Sequence, residues 1–134
     1  MKKFELTPDM LTMSGAFYPN GYIFIMFADA ADAARVAQDV DMLSGLESAS
    51  MLLSAESVLR DIGRIDGASN VALPSVGTEG ATLHKYIDLA RQGYSAVMVK
   101  VASDEDAKRV INSARKVPIA YGQRYHLLAM EDIE

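Results

Sequence analysis

The sequence predicts an α+β fold in which a strand–helix–strand unit occurs twice. The main observation is a near-repeat, because "FADAADAARV" from Phe27 matches "VASDEDAKRV" from Val101. Similar apolar runs, "GYIFIM" and "GYSAVM", precede the two copies. The separation of these runs along the chain is two residues shorter than that of the copies, and a shift of two residues keeps each side chain on the same face of a strand. The identical pairs are Ala28 and Ala102, Asp32 and Asp106, Ala33 and Ala107, Arg35 and Arg109, and Val36 and Val110.

The composition predicts one globular domain, residues 1–134. A chain of 134 residues that is 50% hydrophobic and 23% charged is long enough to bury a core of its own. The absence of cysteine excludes a disulfide framework and a thiolate zinc site. The opening "MKKFELTPDMLTM" has no apolar run of signal-peptide length, so we expect a cytoplasmic protein.

The first unit is predicted to begin with a hairpin and to continue into a helix. The turn sequence "YPNG" at 18–21 predicts that 11–17 pairs with the strand 22–28. Asp29 is expected to cap the helix, and Gly45 to end it. The apolar stripe of this helix comprises Ala33, Val36, Ala37 and Val40.

The segment between the two units is predicted to add a strand at 50–54 and two helices. Ser54 is expected to cap the first helix. The stretch "LPSVGTEGATLHKY", 73–86, matches no phosphate-binding motif, and Glu79 would disfavour an anion, so we interpret it as a connector into a helix capped by Thr78. Gly93 ends this second helix. The stripes are Ala55, Val58, Leu59 and Ile62, then Leu83, Tyr86, Ile87 and Ala90.

The second unit is predicted to repeat the first. Ser103 caps its helix, and Asp106 lies in the first turn, where the helix dipole favours a carboxylate. Pro118 prevents the helix from continuing, and "PIAYGQRYHLLAM", 118–130, is predicted to be a strand. The stripe comprises Ala107, Val110, Ile111 and Ala114.

Two such units form a duplicated split βαβ, the ferredoxin-like α+β sandwich, with the extra helices inserted between the halves. The segment "GYSAVMVKVASDEDAKRVINSARK", about the last third of the chain, resembles small bacterial ferredoxin-like general stress protein families. The resemblance implies a soluble, stress-related, non-catalytic module and provides no catalytic residues.

Strand alternation predicts that the sheet is apolar on both faces. One face carries side chains suited to packing under the two repeated helices: Ile23, Ile25, Phe27, Val97, Val99 and Val101. The other carries Tyr22, Phe24, Met26, Tyr94, Ala96 and Met98, with Lys100 at the end. Because a solvated face should be polar, the chain's own extra helices, a second subunit or a ligand must cover it.

The function predicted from this pattern is a non-enzymatic module that self-associates, as a homodimer, or binds a partner through the sheet face or an edge. Phe24 and Met98 are the predicted interface residues. The alternative is a small-molecule-binding protein or small enzyme of the dimeric α+β barrel kind, with an apolar pocket near Tyr22, Met26, Tyr94 and His126.

The stretch "YGQRYH", 121–126, is the one candidate for site chemistry. Arg124 and His126 are predicted on one face of the strand, and Tyr125 and Leu127 on the other. With Tyr121 near the turn, the Arg–His pair suits an anionic ligand or a proton transfer. A solvated edge strand is the simpler interpretation.

Several other partners are not expected. The net charge of −5 and the lack of an RNA-recognition motif disfavour nucleic acid. The longest apolar stretch, "YIFIMFA", is too short for a bilayer. The two histidines have no metal-ligand spacing, so we expect no metal and no cofactor.

Overall fold

A six-stranded sheet forms the centre of the computed structural model, which describes residues 2–12, 15–64, 78–126 and 130–133. The strands lie in the order β1-β3-β4-β2-β5-β6; β1 is parallel to β3, and the other neighbours are antiparallel. Their bounds are β1 Lys2–Lys3, β2 Tyr22–Phe27, β3 Ser50–Leu53, β4 Ser95–Lys100, β5 Tyr121–Tyr125 and β6 Met130–Asp132.

Helices pack against both faces of this sheet. The bounds are α1 Ala30–Asp41, α2 Ala55–Ser57, which continues directly into the π-helical segment Val58–Ile62, α3 Thr78–Arg91 and α4 Asp104–Ala114. A short 3₁₀ helix, Pro8–Met10, precedes β2. The structure therefore confirms an α+β fold. Within the described residues, no helix has the length and apolarity needed to cross a membrane.

The connections around α1 and α4 each join two parallel strands that are not neighbours. Both β2 and β3 are antiparallel to β4, which lies between them, and α1 connects them. Both β4 and β5 are antiparallel to β2, which lies between these two, and α4 connects them. In the sheet, β4 therefore lies between β3 and β2, and β2 lies between β4 and β5.

The first face of the sheet packs under α1 and α4, as the alternation predicts. Ile23, Ile25 and Val97 are at most 1% exposed and share one cluster with the stripes of both helices. The predicted caps are present: Asp29 accepts from the Ala31 N–H at 2.8 Å and Ser103 from the Asp106 N–H at 3.1 Å. The first helix ends at Asp41, earlier than Gly45 predicts, and Gly45 lies in the following turn with φ 86°.

The second face of the sheet is covered by the chain's own inserted helices. Tyr86 of α3 and Val58 and Ile62 of the π-helical segment are fully buried in one cluster with Phe24 and Met98. Leu59, predicted in the same stripe, is 37% exposed instead. Burial of each large apolar side chain stabilises the fold by about 1.5–3 kcal/mol, so this layer is a second core.

The predicted hairpin between 11–17 and 22–28 is wrong. Within the described part of this segment, Leu11 and Phe17 form an isolated antiparallel bridge with each other, while β2 pairs with β4 and β5. The strands β4 and β5 pair with β2 along most of its length, which gives β2 more cross-strand contact than the isolated bridge of the segment 11–17 could provide.

The last predicted strand, 118–130, is instead divided into β5 and β6, and β1 was not predicted. The first five residues of the connector 73–86, the side chains of Thr78 and Glu79, and Leu127 lie outside the part of the chain that the structure describes.

Gly122 provides a test of the packing between β5 and β6. A Cβ added there would lie 3.1 Å from the Ile133 Cβ and 3.4 Å from the Ile25 Cγ1. Gly122→Ala should therefore lower the free energy of unfolding by about 1–3 kcal/mol in urea denaturation, because a buried methyl group is forced into a filled space.

Gly63→Ala is the matched control. Gly63 has helical φ −59°, and its added Cβ would meet only the Val58 carbonyl oxygen at 3.9 Å. This change should stabilise by roughly 0.5–1 kcal/mol, because alanine is the better helix former. Equal effects of the two substitutions would refute the close packing at Gly122.

Candidate functional site

Strand β5 separates two chemically different environments. Arg124 lies opposite Ile23 in the register with β2, and so faces α1 and α4. Tyr125 and the partly buried Tyr121 pack in the cluster on the α3 face. The predicted division between Arg124 and Tyr125 is therefore confirmed, and each environment has its own set of polar contacts.

A surface cleft of about 520 Å³ lies beside α4, along β5 and β6. We call it the α4 cleft. Its volume falls within the range of about 300–1,000 Å³ that is usual for ligand sites. Two of the predicted ligand residues, Arg124 and His126, line it, together with Asp104, Ala107, Lys108, Ile111, Asn112, Arg115, Glu131, Asp132 and Ile133.

One side of α4 provides the helical wall of the α4 cleft. Residues spaced by four, three and four positions lie on one face of an α-helix. This spacing relates Asp104, Lys108, Ile111 and Arg115, all of which line the cleft. Lys108 and Arg115 were not predicted as site residues. Their helical spacing places them on one side of α4, but it indicates a site only once α4 is known to lie beside β5.

Arg124 is the most buried cation of the α4 cleft. Its side chain is only 14% exposed, and its Nη1 lies 2.9 Å from Oδ1 of Asp104, whose side chain is 83% exposed. Asp104 is the first residue of α4, where the positive end of the helix dipole favours its negative charge. The guanidinium is therefore held by the fold, while its partner carboxylate is in water.

His126 lies at the rim of the α4 cleft. Its Nε2 is 3.4 Å from Oε1 of Glu131, which connects the end of β5 to β6 across the strand pair. On the other side, the Tyr18 hydroxyl donates to the His126 carbonyl oxygen. The backbone at this position is thus attached to the segment before β2.

Charges of both signs line the α4 cleft, in a protein whose net charge is −5. Three cationic side chains line it, Lys108, Arg115 and Arg124, with His126 as a fourth basic group. Asp104 and Glu131 supply opposing carboxylates.

Asp132 directs its carboxylate elsewhere. Its Oδ1 accepts a hydrogen bond from Gln123 Nε2, and Gln123 is 1% exposed on the α3 side of β5. The α4 cleft therefore favours an anion more than the net charge of −5 suggests.

The opposite side of β5 contains buried phenols. The Tyr86 and Tyr125 hydroxyls are 2.7 Å apart, and the Tyr86 ring stacks on Phe24 with centroids 4.0 Å apart. Complete burial, and then the neighbouring Tyr125, raises the pKa of the Tyr86 phenol well above its usual value.

The same side also has a chain of hydrogen bonds. The Tyr121 hydroxyl donates to Thr82 Oγ1 at 3.4 Å and accepts from Gln123 Nε2 at 3.2 Å. Within the described residues, every fully buried side-chain nitrogen or oxygen has a hydrogen-bond partner. These groups complete a polar network in the second core.

The six predicted ligand residues do not form one pocket. Tyr22 pairs with Lys100, whereas Tyr94 precedes Ser95 at the other end of the same strand pair, so the two tyrosines are roughly 17–20 Å apart along the strands. Met26, 0% exposed, pairs with Tyr121 near the Tyr94 end. Arg124 and His126 line the α4 cleft, whereas the other four residues belong to the cluster on the opposite face of the sheet.

The predicted interface residues are not at the surface. Phe24 and Met98 are both 0% exposed and pack in the cluster beneath α3 and the π-helical segment. The apolar face of the sheet is buried by helices of the same chain, and neither side chain is accessible to a second subunit in this structure.

Among the described residues, no three metal-ligating side chains come together. Comparison of the chain with protein-family models, with curated proteins and with solved structures found no match.

Proposed function

We propose that the protein is a non-enzymatic α+β binding module that holds a small anionic ligand in the α4 cleft. One observation carries the proposal: Arg124 is largely buried, but its ion-pair partner Asp104 is exposed at the surface. A guanidinium fixed by the sheet, with a counter-ion that can move into water, is suited to exchange that carboxylate for the anionic group of a ligand.

The exchange is energetically reasonable because the Asp104 carboxylate is well hydrated on its own. Asp104 is 83% exposed and regains hydration when it leaves Arg124, while the ligand's anionic group takes its place beside the largely buried guanidinium, which is therefore not left unpaired. An Arg guanidinium has five donors and binds carboxylate or phosphate oxygens in pairs. Lys108 and Arg115 on α4 add positive charge on the facing wall.

The fold proposed for this module is the ferredoxin-like duplicated split βαβ. The central strand order β3-β4-β2-β5 and the two crossovers around α1 and α4 support it. The matching residues of the two halves support an internal repeat. A cytoplasmic, stress-related role and a homodimer stay predictions, and the burial of Phe24 and Met98 requires any dimer to use another surface.

The ligand site can be tested with inorganic phosphate as the probe. In a ¹⁵N NMR titration at constant ionic strength, phosphate should shift the amide signals of α4 and β5. Arg124→Met should raise the dissociation constant about 10-fold or more, because a charge-assisted hydrogen bond contributes about 1.5–3 kcal/mol. Met retains much of the apolar stem that Arg124 buries.

Lys116→Met is the matched control, because Lys116 lies just beyond α4 and does not line the α4 cleft. It removes the same charge and should leave phosphate binding within about twofold, since exposed charges at a distance are screened by salt. If phosphate shifted the amide signals equally in the wild type and in Arg124→Met, Arg124 would not be part of the phosphate site.

Asp104→Asn gives a signature in the opposite direction. The change removes the carboxylate that competes for Arg124, so phosphate should bind severalfold more tightly. The protein should also lose about 0.3–1 kcal/mol of stability, since Asn lacks the favourable charge at the start of α4. Weaker phosphate binding in this variant would show that Asp104 is not a displaceable counter-ion.

A further inference from the structure

A second cavity, of about 310 Å³, lies at the end of the β2–β4 pair and is distinct from the α4 cleft. We call it the Tyr22 pocket. It is a surface pocket bordered by the turn between α1 and β3 and by the start of the connection from β4 to α4. Its lining residues are Tyr22, Gly45, Leu46, Ser48, Ala49, Met51, Lys100, Val101, Ala102 and Asp106.

Most of the wall of the Tyr22 pocket is apolar and well packed. Leu46, Met51 and Val101 are 3–9% exposed and belong to the two cores that meet at this end of the sheet. Ala49 and Ala102 contribute small side chains that leave the space open. An apolar cavity with a few polar groups is the usual form of a small-molecule site.

The polar groups of the Tyr22 pocket come from different elements. Tyr22 and Lys100 lie directly opposite each other on β2 and β4. None of the ion pairs between described residues involves Lys100, whereas Asp106 pairs with Arg109 at 3.4 Å. Of the described residues that line the pocket, Lys100 is the one cation and Asp106 the one carboxylate, so the group available to an anionic ligand is the Lys100 ammonium.

Burial, and then the nearby charge of Asp9, raises the pKa of the Tyr22 phenol. The phenol is thus protonated at neutral pH and can donate a hydrogen bond.

The turn that closes the Tyr22 pocket has an unusual backbone. Gly45 has φ 86°, and Ser48, which is not a glycine, has φ 65° in the left-handed region. Such residues are uncommon and concentrate at ligand sites, where the surrounding structure holds them. Arg109 Nη1 donates to the Ser44 carbonyl oxygen at 2.8 Å, which fastens the turn to α4.

We propose that the Tyr22 pocket binds a small carboxylic acid with an apolar body. The carboxylate pairs with the Lys100 ammonium and accepts a hydrogen bond from the Tyr22 hydroxyl. The apolar body lies against Leu46, Met51 and Val101. The volume is sufficient for a single-ring or short-chain acid.

Benzoate is a suitable probe, and methionine methyl groups report its binding. In protein labelled with ¹³C at the methionine methyls, saturating benzoate should shift the Met51 signal. Met42, which is 84% exposed and does not line the pocket, should stay in place. Benzyl alcohol has the same ring without the charge, and should bind about 10-fold or more weakly.

Two lysine variants locate the charge. Lys100→Gln should raise the benzoate dissociation constant about 10-fold, because it removes the ammonium and keeps a polar side chain at an exposed position. Lys108→Gln, in the α4 cleft, should leave it unchanged. The result is thus independent of whether phosphate binds near Arg124.

Three outcomes would overturn the proposal. A Met51 signal that does not move at millimolar benzoate would show that the Tyr22 pocket is not a site for such acids. Equal affinity for benzoate and benzyl alcohol would show a cavity that does not select a carboxylate. Unchanged benzoate affinity in Lys100→Gln would exclude the ammonium as its partner.

Discussion

Phe24→Asp should abolish folding rather than only self-association, because Phe24 lies in the core. Truncation of a buried Phe to Ala costs about 3–5 kcal/mol, and a carboxylate at a fully buried position costs more because it must lose its hydration or be protonated. Typical domains have only about 5–15 kcal/mol of stability in total. Phe24 is 0% exposed and stacks on Tyr86, so we expect an unfolded or aggregated protein by circular dichroism and urea titration.

Phe24→Leu is the control, since it keeps an apolar side chain and should leave a folded protein of lower stability. Met98→Asp should behave like Phe24→Asp because Met98 is equally buried. A folded, monomeric Phe24→Asp protein derived from a dimeric wild type would contradict the buried position. It would restore the sheet face as the subunit interface.

Tyr86→Ala is expected to have the second-largest effect. The side chain is fully buried, stacks on Phe24 and contacts the Tyr125 hydroxyl at 2.7 Å. Loss of the ring should lower the free energy of unfolding by about 3–5 kcal/mol, as for other buried aromatic residues. Urea denaturation by circular dichroism measures this loss.

Tyr86→Phe separates the hydroxyl from the ring. It keeps the stacking but removes one hydrogen bond to the buried Tyr125 hydroxyl, which should cost about 0.5–1.5 kcal/mol. A loss in Tyr86→Phe as large as that in Tyr86→Ala would mean that the hydrogen bond, and not the packing, dominates. A negligible loss in both would refute the buried position of Tyr86.

The same phenol makes stability depend on alkaline pH. The pKa of Tyr86 is raised in the folded protein, so the folded state retains its proton more strongly than the unfolded state does. The stabilising contribution is fully present below the unfolded pKa of about 10 and is lost as the pH rises above it, by at most about 1.4 kcal/mol per pH unit.

Urea midpoints of wild type and Tyr86→Phe between pH 9 and 11 measure this contribution. The variant should lose stability less steeply above about pH 10, because one buried phenol no longer titrates. Equal slopes in the two proteins would show that Tyr86 is not the group responsible.

The sequence pattern predicted best where a local signal and burial agree. The stripe of α1 and its Asp29 cap are both present, since 3.6-residue periodicity and a capping side chain need no knowledge of distant residues. The alternation of Ile23 and Phe24 predicted two apolar faces correctly. It also led to three possible covers for the second face, of which the inserted helices are the one found.

The pattern failed where distant parts of the chain decide the outcome. Pairing of β2 depends on β4 and β5, which no local turn signal reveals, so the nearby "YPNG" turn was misleading. The short strands β1 and β6 contain too few residues to show alternation. Of the α4 cleft, only Arg124 and His126 were predicted, because they are two residues apart in the sequence. Lys108 and Arg115 lie near them only through tertiary packing.

The position of β2 has a consequence for synthesis on the ribosome. This strand, "YIFIMF", is made before both of its neighbours in the sheet, β4 and β5. At about 5–20 residues per second, residues 28–100 take roughly 4–15 s to appear, and β2 has neither strand partner during that time. The nascent chain therefore exposes this apolar strand for seconds without its partners in the sheet.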